Sequence, residues 1–381
     1  MNLPLGRTIA LASLLSSCSQ SNSKETLRLP FDAAFGAELP GVPQATGLTS
    51  ADLDKDGRAD LVVLSGSSAR IKILMNATDG FRESEELDAG ASASGLAVGD
   101  FNEDGGLDLA VCHHDTDELR LFFGKGAGTF QPPKSIHVAV VKPHAHKVSS
   151  VDVNGDGHLD LLLPQADDNQ LWVLLGDGKG GFAAREQSPF TTGNHPYGVA
   201  SADFDADGKP DFATPNWYGK TVSVFMGGER GVLRQSSKSP LTGFTAPTAI
   251  AAAELNGDGK IDLAVGNDDS SKVQILVGDG AGGFAALAEL QGPEDCFAPI
   301  LNDLTGDGRI DVIATASNEA RTFSYWINLG EGRFSPAHSL PCSALASTIC
   351  VSDLNGDGLM DLAVGSWGVA STYIWYGRSI R

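Results

Sequence analysis

The sequence predicts an all-β fold, a seven-bladed β-propeller of four-stranded antiparallel blades whose ring is closed by the N-terminal strand. Two recurring patterns predict it. An acidic nine-residue string occurs seven times in the 381 residues, at successive offsets of 48, 52, 51, 51, 49 and 50 residues. A glycine-rich turn that ends in an aromatic residue recurs in phase with most of these strings. A period of about fifty residues indicates a repeat architecture in which each repeat supplies one blade.

Each repeat has the same order of short strands and turns. In the third repeat, the acidic string Asp152–Asp160 is followed by the apolar segment Leu161–Leu163, which is typical of a buried strand. A third strand, Leu171–Leu175, then leads to the turn Gly176–Phe182. An irregular fourth strand precedes the next repeat, and no segment shows helical periodicity. Four short strands per repeat therefore form one antiparallel blade.

The seventh repeat lacks a segment for its outer strand. It stops after its third strand, Tyr373–Tyr376, and a short tail. Residues Leu27–Phe35 precede the first complete repeat and have no blade of their own. We expect them to supply the missing strand, because this closes the ring and removes two open sheet edges. Residues 27–381 are thus predicted to form one domain.

Each acidic string has the composition of a calcium-binding loop. Positions 1, 3, 5 and 9 are almost all Asp or Asn, and position 6 is always Gly. Calcium takes six to eight oxygen ligands, and carboxylates around a glycine turn supply them, with position 7 contributing its backbone carbonyl. The predicted metal ligands are Asp52, Asp54, Asp56, Arg58 and Asp60; Asp100, Asn102, Asp104, Gly106 and Asp108; Asp152, Asn154, Asp156, His158 and Asp160; Asp203, Asp205, Asp207, Lys209 and Asp211; Glu254, Asn256, Asp258, Lys260 and Asp262; Asp303, Thr305, Asp307, Arg309 and Asp311; and Asp353, Asn355, Asp357, Leu359 and Asp361.

The nature of the ion follows from the ligand types. The string resembles the first half of an EF-hand loop without the Glu at position 12, and the apolar segment after it indicates a connection between two strands. Magnesium fits less well because it demands octahedral geometry, and zinc prefers His and Cys. We expect up to seven Ca²⁺ ions, bound more weakly where Glu254 replaces Asp and where Thr305 replaces Asp or Asn. The alternative is that the Asp-Gly turns close hairpins without metal.

The net charge supports a metal-bound protein. The formal charge is −21, and each string carries three or four carboxylates at its ligand positions. Seven divalent cations would reduce the charge to about −7, which is ordinary for a soluble domain. An acidic chain also lacks the basic surface that nucleic-acid binding requires, so we expect no nucleic-acid partner.

The first residues are similar to a bacterial lipoprotein signal peptide. Residues 1–17 contain Arg7, the apolar stretch Ile9–Leu15 and small residues, and Cys18 stands where the acylated cysteine of such a signal lies. Residues 18–26 then form a polar tether. We expect a protein held outside the cytoplasm on the bacterial cell envelope by lipid on Cys18, with the outer membrane favoured and no spanning segment. The alternative is a plain secretory signal with an incidental cysteine.

Four further cysteines, Cys112, Cys296, Cys342 and Cys350, allow three disulfide pairings in an exported protein. We favour Cys342 with Cys350, because both flank one loop. Buried free thiols are the alternative.

The acidic strings followed by segments such as Asp262–Val265, and the turns such as Gly278–Phe284, resemble FG-GAP/VCBS-type repeats, a family that includes the integrin α-subunit propeller. The resemblance covers essentially the whole chain after the signal. It implies that the acidic loops join the first and second strands of each blade and bind calcium on the lower face of the ring. Because the family is functionally mixed, the fold does not define the function.

A second group of residues is predicted to lie on the opposite, upper face. That face receives the loops between second and third strands and the loops that lead into each first strand. Its candidate ligand-binding residues are His113, His114, His144, His146, His195, Tyr197, Trp217 and Tyr218. Aromatic rings stack on ligand surfaces, and imidazoles serve as hydrogen-bonding groups, metal ligands or proton carriers. The alternative is a chance grouping in exposed polar loops.

The principal functional hypothesis is a lipid-anchored, calcium-binding module that recognises a protein or polysaccharide through its upper face, because loops on rigid scaffolds commonly carry recognition. A carbohydrate-active enzyme, such as a polysaccharide lyase or hydrolase that uses the histidines, is the alternative. A purely structural surface component is a third hypothesis. Catalysis is not favoured, because the sequence contains no recognisable nucleophile turn or phosphate-binding motif.

Overall fold

The computed structural model describes residues 30–31, 36–292, 296–316, 321–342 and 345–379, with only the backbone for 296, 297 and 316. The predicted signal peptide (1–17), tether (18–26) and lipidation site Cys18 lie outside these residues. Within the described ranges, no helix has the length and apolar character needed to cross a membrane.

The described residues form seven antiparallel sheets, each with four principal strands, arranged as a ring, so the predicted seven-bladed β-propeller is confirmed. In order from the first, innermost strand outward, the strands are Ala45–Ala51, Asp60–Ser65, Arg70–Ala77 and Gly80–Asp88 in blade 1; Ala93–Gly99, Asp108–His113, Glu118–Phe122 and Lys134–His137 in blade 2; Ser149–Val151, Asp160–Gln165, Gln170–Gly176 and Phe182–Ala184 in blade 3; Ala200–Ala202, Asp211–Asn216, Thr221–Met226 and Arg234–Gln235 in blade 4; Pro247–Ala253, Asp262–Asn267, Lys272–Gly278 and Phe284–Gln291 in blade 5; Cys296–Asn302, Asp311–Ala316, Thr322–Trp326 and His338–Pro341 in blade 6; and Leu345–Ser352, Asp361–Trp367, Ser371–Trp375 and Ala37–Pro40 in blade 7.

A few short elements complete the described structure. Small hairpins, Gly124–Gly126 with Thr129–Phe130 and Asn328–Gly330 with Arg333–Phe334, extend blades 2 and 6. The strand Phe190–Thr191 adds a fifth member to the sheet of blade 3. The one helix in the described ranges is the 3₁₀ turn Glu229–Gly231.

The second strand of each blade forms the core. Every residue of Asp60–Ser65 and of Asp211–Asn216 is buried, because neighbouring blades cover both faces of these strands. This explains their continuous apolar sequences, which lack the alternation of a half-exposed strand. The outer strand Gly80–Asp88 is largely exposed or intermediate by contrast.

Neighbouring blades are joined by one repeated contact. The apolar residue at position 2 of each acidic loop packs in one cluster with the large apolar residue that closes the turn of the next blade. Two of these contacts are edge-to-face ring pairs: Phe101 with Phe182, with centroids 5.7 Å apart, and Phe204 with Phe284, at 5.2 Å. The other clusters pair Leu53 with Phe130, Val153 with Leu233, Leu255 with Phe334, and Leu354 with Phe81.

The N-terminal segment closes the ring. Ala37–Pro40 pairs antiparallel with the third strand of blade 7, with Ala37 opposite Ile374 and Pro40 opposite Ser371. Closure by an N-terminal strand is therefore confirmed, but the strand lies after the predicted range Leu27–Phe35, of which only residues 30 and 31 are described. Only four residues separate this strand from blade 1. The segment directly before blade 1 therefore closes the ring at blade 7, a junction that we call the seam.

Phe31 completes the set of blade-to-blade contacts. It forms an isolated bridge with Gly377, the register that Phe284 and Gly278 have in blade 5. Its side chain is 1 % exposed and packs in the cluster that contains Leu304, the position 2 residue of the sixth acidic loop. The chain before blade 1 thus supplies both the outer strand and the turn aromatic of blade 7.

The favoured Cys342–Cys350 disulfide is wrong. Cys350 is a buried free thiol and packs between blades 7 and 1, in the cluster that includes Leu48. Cys342 belongs to the cluster between blades 6 and 7, so the two side chains lie in different interblade cores. Cys112 is also a buried free thiol, in the core between blades 2 and 3.

Candidate functional site

The seven acidic loops lie on one face of the ring, here the lower face. Each joins the first strand of its blade to the second, as Asp152–Asp160 does between Ser149–Val151 and Asp160–Gln165. Because successive strands run in opposite directions, all loops of this type emerge at the same end of the blades.

The carboxylate at position 9 holds each loop to its blade. In the fifth loop, Asp262 Oδ2 accepts a hydrogen bond from the Leu255 N–H at 3.0 Å, and Oδ1 accepts one from the Gly278 N–H at 2.9 Å. One carboxylate therefore joins the start of the loop to the end of the third strand. The same pair of contacts recurs at Asp60, Asp108, Asp160, Asp211, Asp311 and Asp361.

The carboxylate at position 1 shapes the turn. In the seventh loop, Asp353 Oδ1 accepts the Gly356 N–H at 2.7 Å and Oδ2 accepts the Gly358 N–H at 2.8 Å. Asp357 Oδ1 in turn accepts the Leu359 N–H at 2.9 Å. Gly358 has a φ of +83°, a conformation that a residue with a side chain rarely adopts. The backbone thus curls around the carboxylates and holds them in a fixed arrangement.

The donor atoms of these loops fit a calcium ion. In the first loop, carboxylate oxygens of Asp52, Asp54 and Asp60 lie within 4.8 Å of one another, and Asp203, Asp205 and Asp211 of the fourth loop form an equal group. Calcium prefers such all-oxygen ligand sets, in flexible geometry. If calcium binds, these residues would hold it and its charge would offset that of the crowded carboxylates.

The same crowding affects protonation at position 9. Burial is the largest cause that raises the pKa of these carboxyl groups, and neighbouring carboxylates raise it further. The pKa is raised to about 6 at Asp60, Asp108, Asp160, Asp211 and Asp361, to about 7 at Asp311, and is also raised at Asp262.

Two loops depart from the common arrangement, as their sequences do. The longer side chain of Glu254 accepts the N–H groups of Asn256 and Gly257 through one oxygen, Oε1. In the sixth loop, the Thr305 hydroxyl donates to Asp303 Oδ1 at 3.4 Å and supplies no carboxylate. These are the two loops where we predict weaker calcium binding.

A wide cavity opens at the upper mouth of the central channel. Its volume is about 770 Å³, and residues from six of the seven blades line it within the described ranges. Aromatic side chains contribute Tyr197, Trp217 and Trp367, and Lys147 and Asp268 contribute charge. We call this space the upper-face cavity.

Four histidines form one cluster beside this cavity. The rings of His114 and His144 have centroids 3.9 Å apart, and His146 lies 4.7 Å from His144. His195 lies 4.9 Å from His144. The residues come from three adjacent blades, as loops that meet at one end of the ring allow. We call these four residues the histidine cluster.

Carboxylates hold three rings of the histidine cluster. His114 Nδ1 lies 2.6 Å from Asp115 Oδ1, and His144 Nδ1 lies 3.1 Å from Asp167 Oδ2. The other oxygen of Asp167 lies 3.6 Å from His195 Nδ1. The His114 contact is a hydrogen bond, so Asp115 orients that ring with Nδ1–H as the donor, whereas Asp167 lies within ion-pair distance of His144 and His195.

Aromatic residues cover the other side of the histidine cluster. Tyr197 stacks on His146, with centroids 3.8 Å apart and an angle of 10° between the planes. Tyr218 lies 4.5 Å from His195 and stacks on Trp217 at 4.7 Å. Burial lowers the pKa of His146 to about 2 and raises the pKa of Tyr197 to about 12, so both are neutral near pH 7.

The backbone at His195 lies in the left-handed region, with a φ of +64°, which histidine adopts more readily than most residues. The side-chain oxygen of Asn169 accepts a hydrogen bond from the His195 N–H at 2.8 Å. The His195 carbonyl accepts one from the Trp217 N–H at 2.9 Å. Its ring is buried, and burial lowers its pKa.

His113 does not share the histidine cluster, although it precedes His114. It is 1 % exposed, and its Nδ1 and Nε2 atoms each lie 2.8 Å from a backbone carbonyl oxygen, of Glu118 and Ala89. It ends a strand that neighbouring blades bury, so its ring joins two segments of backbone instead of facing the cavity.

Sequence reasoning did not identify Asp115 and Asp167 as partners of the histidines. A signal was present, because each follows the last carboxylate of its acidic string by seven residues. Equivalent positions in adjacent blades lie side by side on the same face. The repeat itself thus places these two carboxylates beside the histidines of the same loops.

Comparisons with known proteins find a matching repeat family and similar solved structures. Residues 52–111, 100–163, 152–214, 254–314 and 303–364 match the model of the FG-GAP-like repeat. Comparison with curated protein sequences gives no match. The chain is similar in structure to BBS1N in its complex with ARL6DN. The structure from crystals of that complex soaked with lead has a TM-score of 0.64 and 13% sequence identity to this chain. The match covers 91% of this chain and 98% of the BBS1N chain. With crystals soaked in mercury, the TM-score is 0.65 at 12% identity, over the same shares.

The two kinds of comparison agree with the geometry. The matched ranges contain all seven acidic loops, and they cover well over half of the chain. The likeness in structure extends over 91% of this chain. This protein belongs to the FG-GAP-like repeat family.

Proposed function

We propose that this protein is a calcium-stabilised recognition module that binds a protein partner at the upper-face cavity. The observation that carries the proposal is the cavity itself, with exposed aromatic side chains on the same face. Tyr218 is 59 % exposed and Trp367 is 42 % exposed. Tyrosine and tryptophan dominate the binding energy of protein interfaces, because they bury large areas at small entropic cost.

The similar solved structure favours a protein partner over a polysaccharide. BBS1N shares this fold, and its solved structure is that of a complex with ARL6DN. Such rings present broad, rigid surfaces on which loops vary freely. At 13% identity the likeness concerns the fold, so the identity of a partner does not carry over.

Calcium and lipid have separate parts in this proposal. Calcium in the lower-face loops would hold first, second and third strands together in every blade and keep the upper face rigid. Lipid on Cys18 would anchor the propeller to the bacterial cell envelope outside the cytoplasm, with the outer membrane favoured. Incorporation of a labelled fatty acid into the wild-type protein, and its loss in Cys18→Ser, tests the anchor.

The recognition proposal is tested with three substitutions. Trp367→Ala and Tyr218→Ala remove exposed rings from the upper face, whereas Leu329→Ala removes an equally exposed apolar side chain from a hairpin of blade 6. We expect a protein partner purified with the wild type to bind Leu329→Ala unchanged and to bind each upper-face variant at least about tenfold more weakly. Equal binding by all three variants would contradict the proposal. Binding to a glycan array without a protein partner would favour the polysaccharide.

The carbohydrate-active enzyme is a second candidate, favoured by the pairing of histidines with carboxylates. Asp167 contacts both His144 and His195, an arrangement that positions imidazoles for proton transfer. Turnover on a panel of polysaccharides that is lost in His144→Ala and in His195→Ala would support it. Binding without turnover would leave recognition as the function.

A further inference from the structure

We propose that His114, His144 and His146 bind one transition-metal ion of the Zn²⁺ type beside the upper-face cavity. This site is distinct from the seven acidic loops of the lower face and does not depend on the recognition function. It adds a second class of metal to the protein, on the opposite end of the ring.

The spacing of the three imidazoles suits a single ion. One ring nitrogen of each residue lies within 4.8 Å of the other two. Zinc binds imidazole nitrogen at about 2.1 Å in tetrahedral geometry, so two nitrogens on one ion lie about 3.4 Å apart. Closing to this spacing requires ring rotations, and all three side chains are only partly buried. His114 and His146 also line the cavity, which gives an ion and its remaining ligands access from solvent.

Carboxylates complete the arrangement that is usual around a metal-bound histidine. In metal sites, the ring nitrogen that does not bind the ion commonly donates to a carboxylate, which fixes the ring and strengthens the ligand. Asp115 accepts such a hydrogen bond from His114 at 2.6 Å, and Asp167 lies 3.1 Å from Nδ1 of His144. Nδ1 of both rings thus faces a carboxylate, which leaves Nε2 for the ion.

His146 provides a further observation that points to a missing ligand. Its Nε2 atom is buried and has no hydrogen-bond partner among the described residues. The neighbouring His195 is 4 % exposed, and its buried Nε2 atom also has no hydrogen-bond partner among the described residues. A buried polar atom without a partner costs about 1–3 kcal/mol. A metal ion, with water or a ligand donor on it, would satisfy both atoms.

The backbone holds the ligands in place before any ion binds. The His144 N–H donates to the buried Gln165 side chain at 2.9 Å, and the His144 carbonyl accepts the Ala166 N–H at 2.8 Å. The Ala145 carbonyl accepts the Ser94 hydroxyl. Ala145 itself is buried in the core, whereas the rings of His144 and His146 lie 4.7 Å apart in the histidine cluster.

The chemistry of the donors selects the ion. Imidazole suits zinc, copper and nickel, whereas calcium and magnesium prefer oxygen. Three histidines leave at least one coordination position open. Because two of them line the cavity, a carboxylate or imidazole of a bound partner has access to that position. His195 lies beside it and accepts a hydrogen bond from a group on the ion.

The test measures zinc binding by the full-length protein in excess calcium, so that calcium occupies any lower-face sites. We expect calorimetry and elemental analysis to show one tightly bound Zn²⁺ per chain. His144→Ala and His146→Ala are expected to weaken it at least about 100-fold, and Asp167→Asn about 10–100-fold. The matched control is His137→Ala, because His137 is an exposed histidine whose Nδ1 lies 3.0 Å from Asp117, outside the cluster. It should leave the zinc affinity unchanged.

A second measurement keeps the proposal testable if a variant fails to fold. Diffraction data from wild-type crystals, collected on both sides of the zinc absorption edge, locate the ion directly. Density between His114, His144 and His146 supports the site. Zinc on the lower face, zinc affinity that persists in a folded His144→Ala protein, or no binding by the wild type overturns it.

Discussion

The aspartate at position 9 of each acidic loop has a structural role that a metal-binding motif does not reveal. Both of its oxygens accept backbone N–H groups that would otherwise be buried without partners, as Asp262 does for Leu255 and Gly278. This contact exists without any ion. The loop therefore has two supports, one from the protein alone and one from calcium.

Asp262→Asn should destabilise the protein even in the absence of calcium. An amide offers one oxygen instead of two, so one buried N–H faces an NH₂ group, at a cost of about 1–3 kcal/mol. Urea unfolding in excess chelator measures this. The matched control is Asp258→Asn, because Asp258 is exposed and accepts the Lys260 N–H at its own turn. If the two variants lose equal stability in chelator, the support role of Asp262 is wrong.

The buried thiols give a second prediction at the scale of single residues. Burial raises the pKa of Cys112 to about 11 and that of Cys350 to about 12. Because the thiolate is the reactive form, neither should be alkylated in the native protein at about pH 8, and both should react in denaturant. Mass spectrometry of iodoacetamide-treated peptides distinguishes the residues. Rapid alkylation of the native protein at Cys350 would contradict its buried position.

At the scale of elements, the contact between an acidic loop and the next blade's turn holds the ring together. Its seventh copy is made by Phe31, from the opposite end of the chain. Phe31→Ala should cost about 3–5 kcal/mol, the usual loss for a buried Phe, because it leaves a cavity beside Leu304. Chemical unfolding measures the change, with Val141→Ala as the control, since Val141 is 85 % exposed. Equal stability of the two variants would show that the seam does not depend on Phe31.

The sequence predicted the strands and loops within a repeat better than the contacts between repeats, for physical reasons. Buried second strands and acidic loops were predictable, because periodic local patterns dictate them. The closing strand was predicted from the missing outer strand, but its position depends on the four-residue connection to blade 1, which no local pattern reveals. The histidines were assigned to one face by strand alternation. His113 differs because neighbouring blades bury the end of its strand, and Asp167 was missed as a partner because its contact crosses between blades.

At the scale of the whole molecule, stability is expected to depend on calcium. A ligand that binds only the folded state adds about 2.7 kcal/mol per site at a concentration 100 times its Kd. Chelation should therefore lower the melting temperature by many degrees, and calcium should restore it. Magnesium at the same concentration is the control, because it fits these loops poorly. Identical melting curves in chelator and in calcium would contradict occupied loops.

The seam of blade 7 sets the order in which the molecule can be completed. Ala37–Pro40 pairs with residues more than 300 positions later. Blade 7 can therefore form only after its third strand, Ser371–Trp375, has been synthesised. Contacts between distant residues form slowly, and until then the growing chain presents unpaired strand edges to its neighbours. The same closure is where we expect the native ring to open first, since the outer strand of blade 7 there has only four residues.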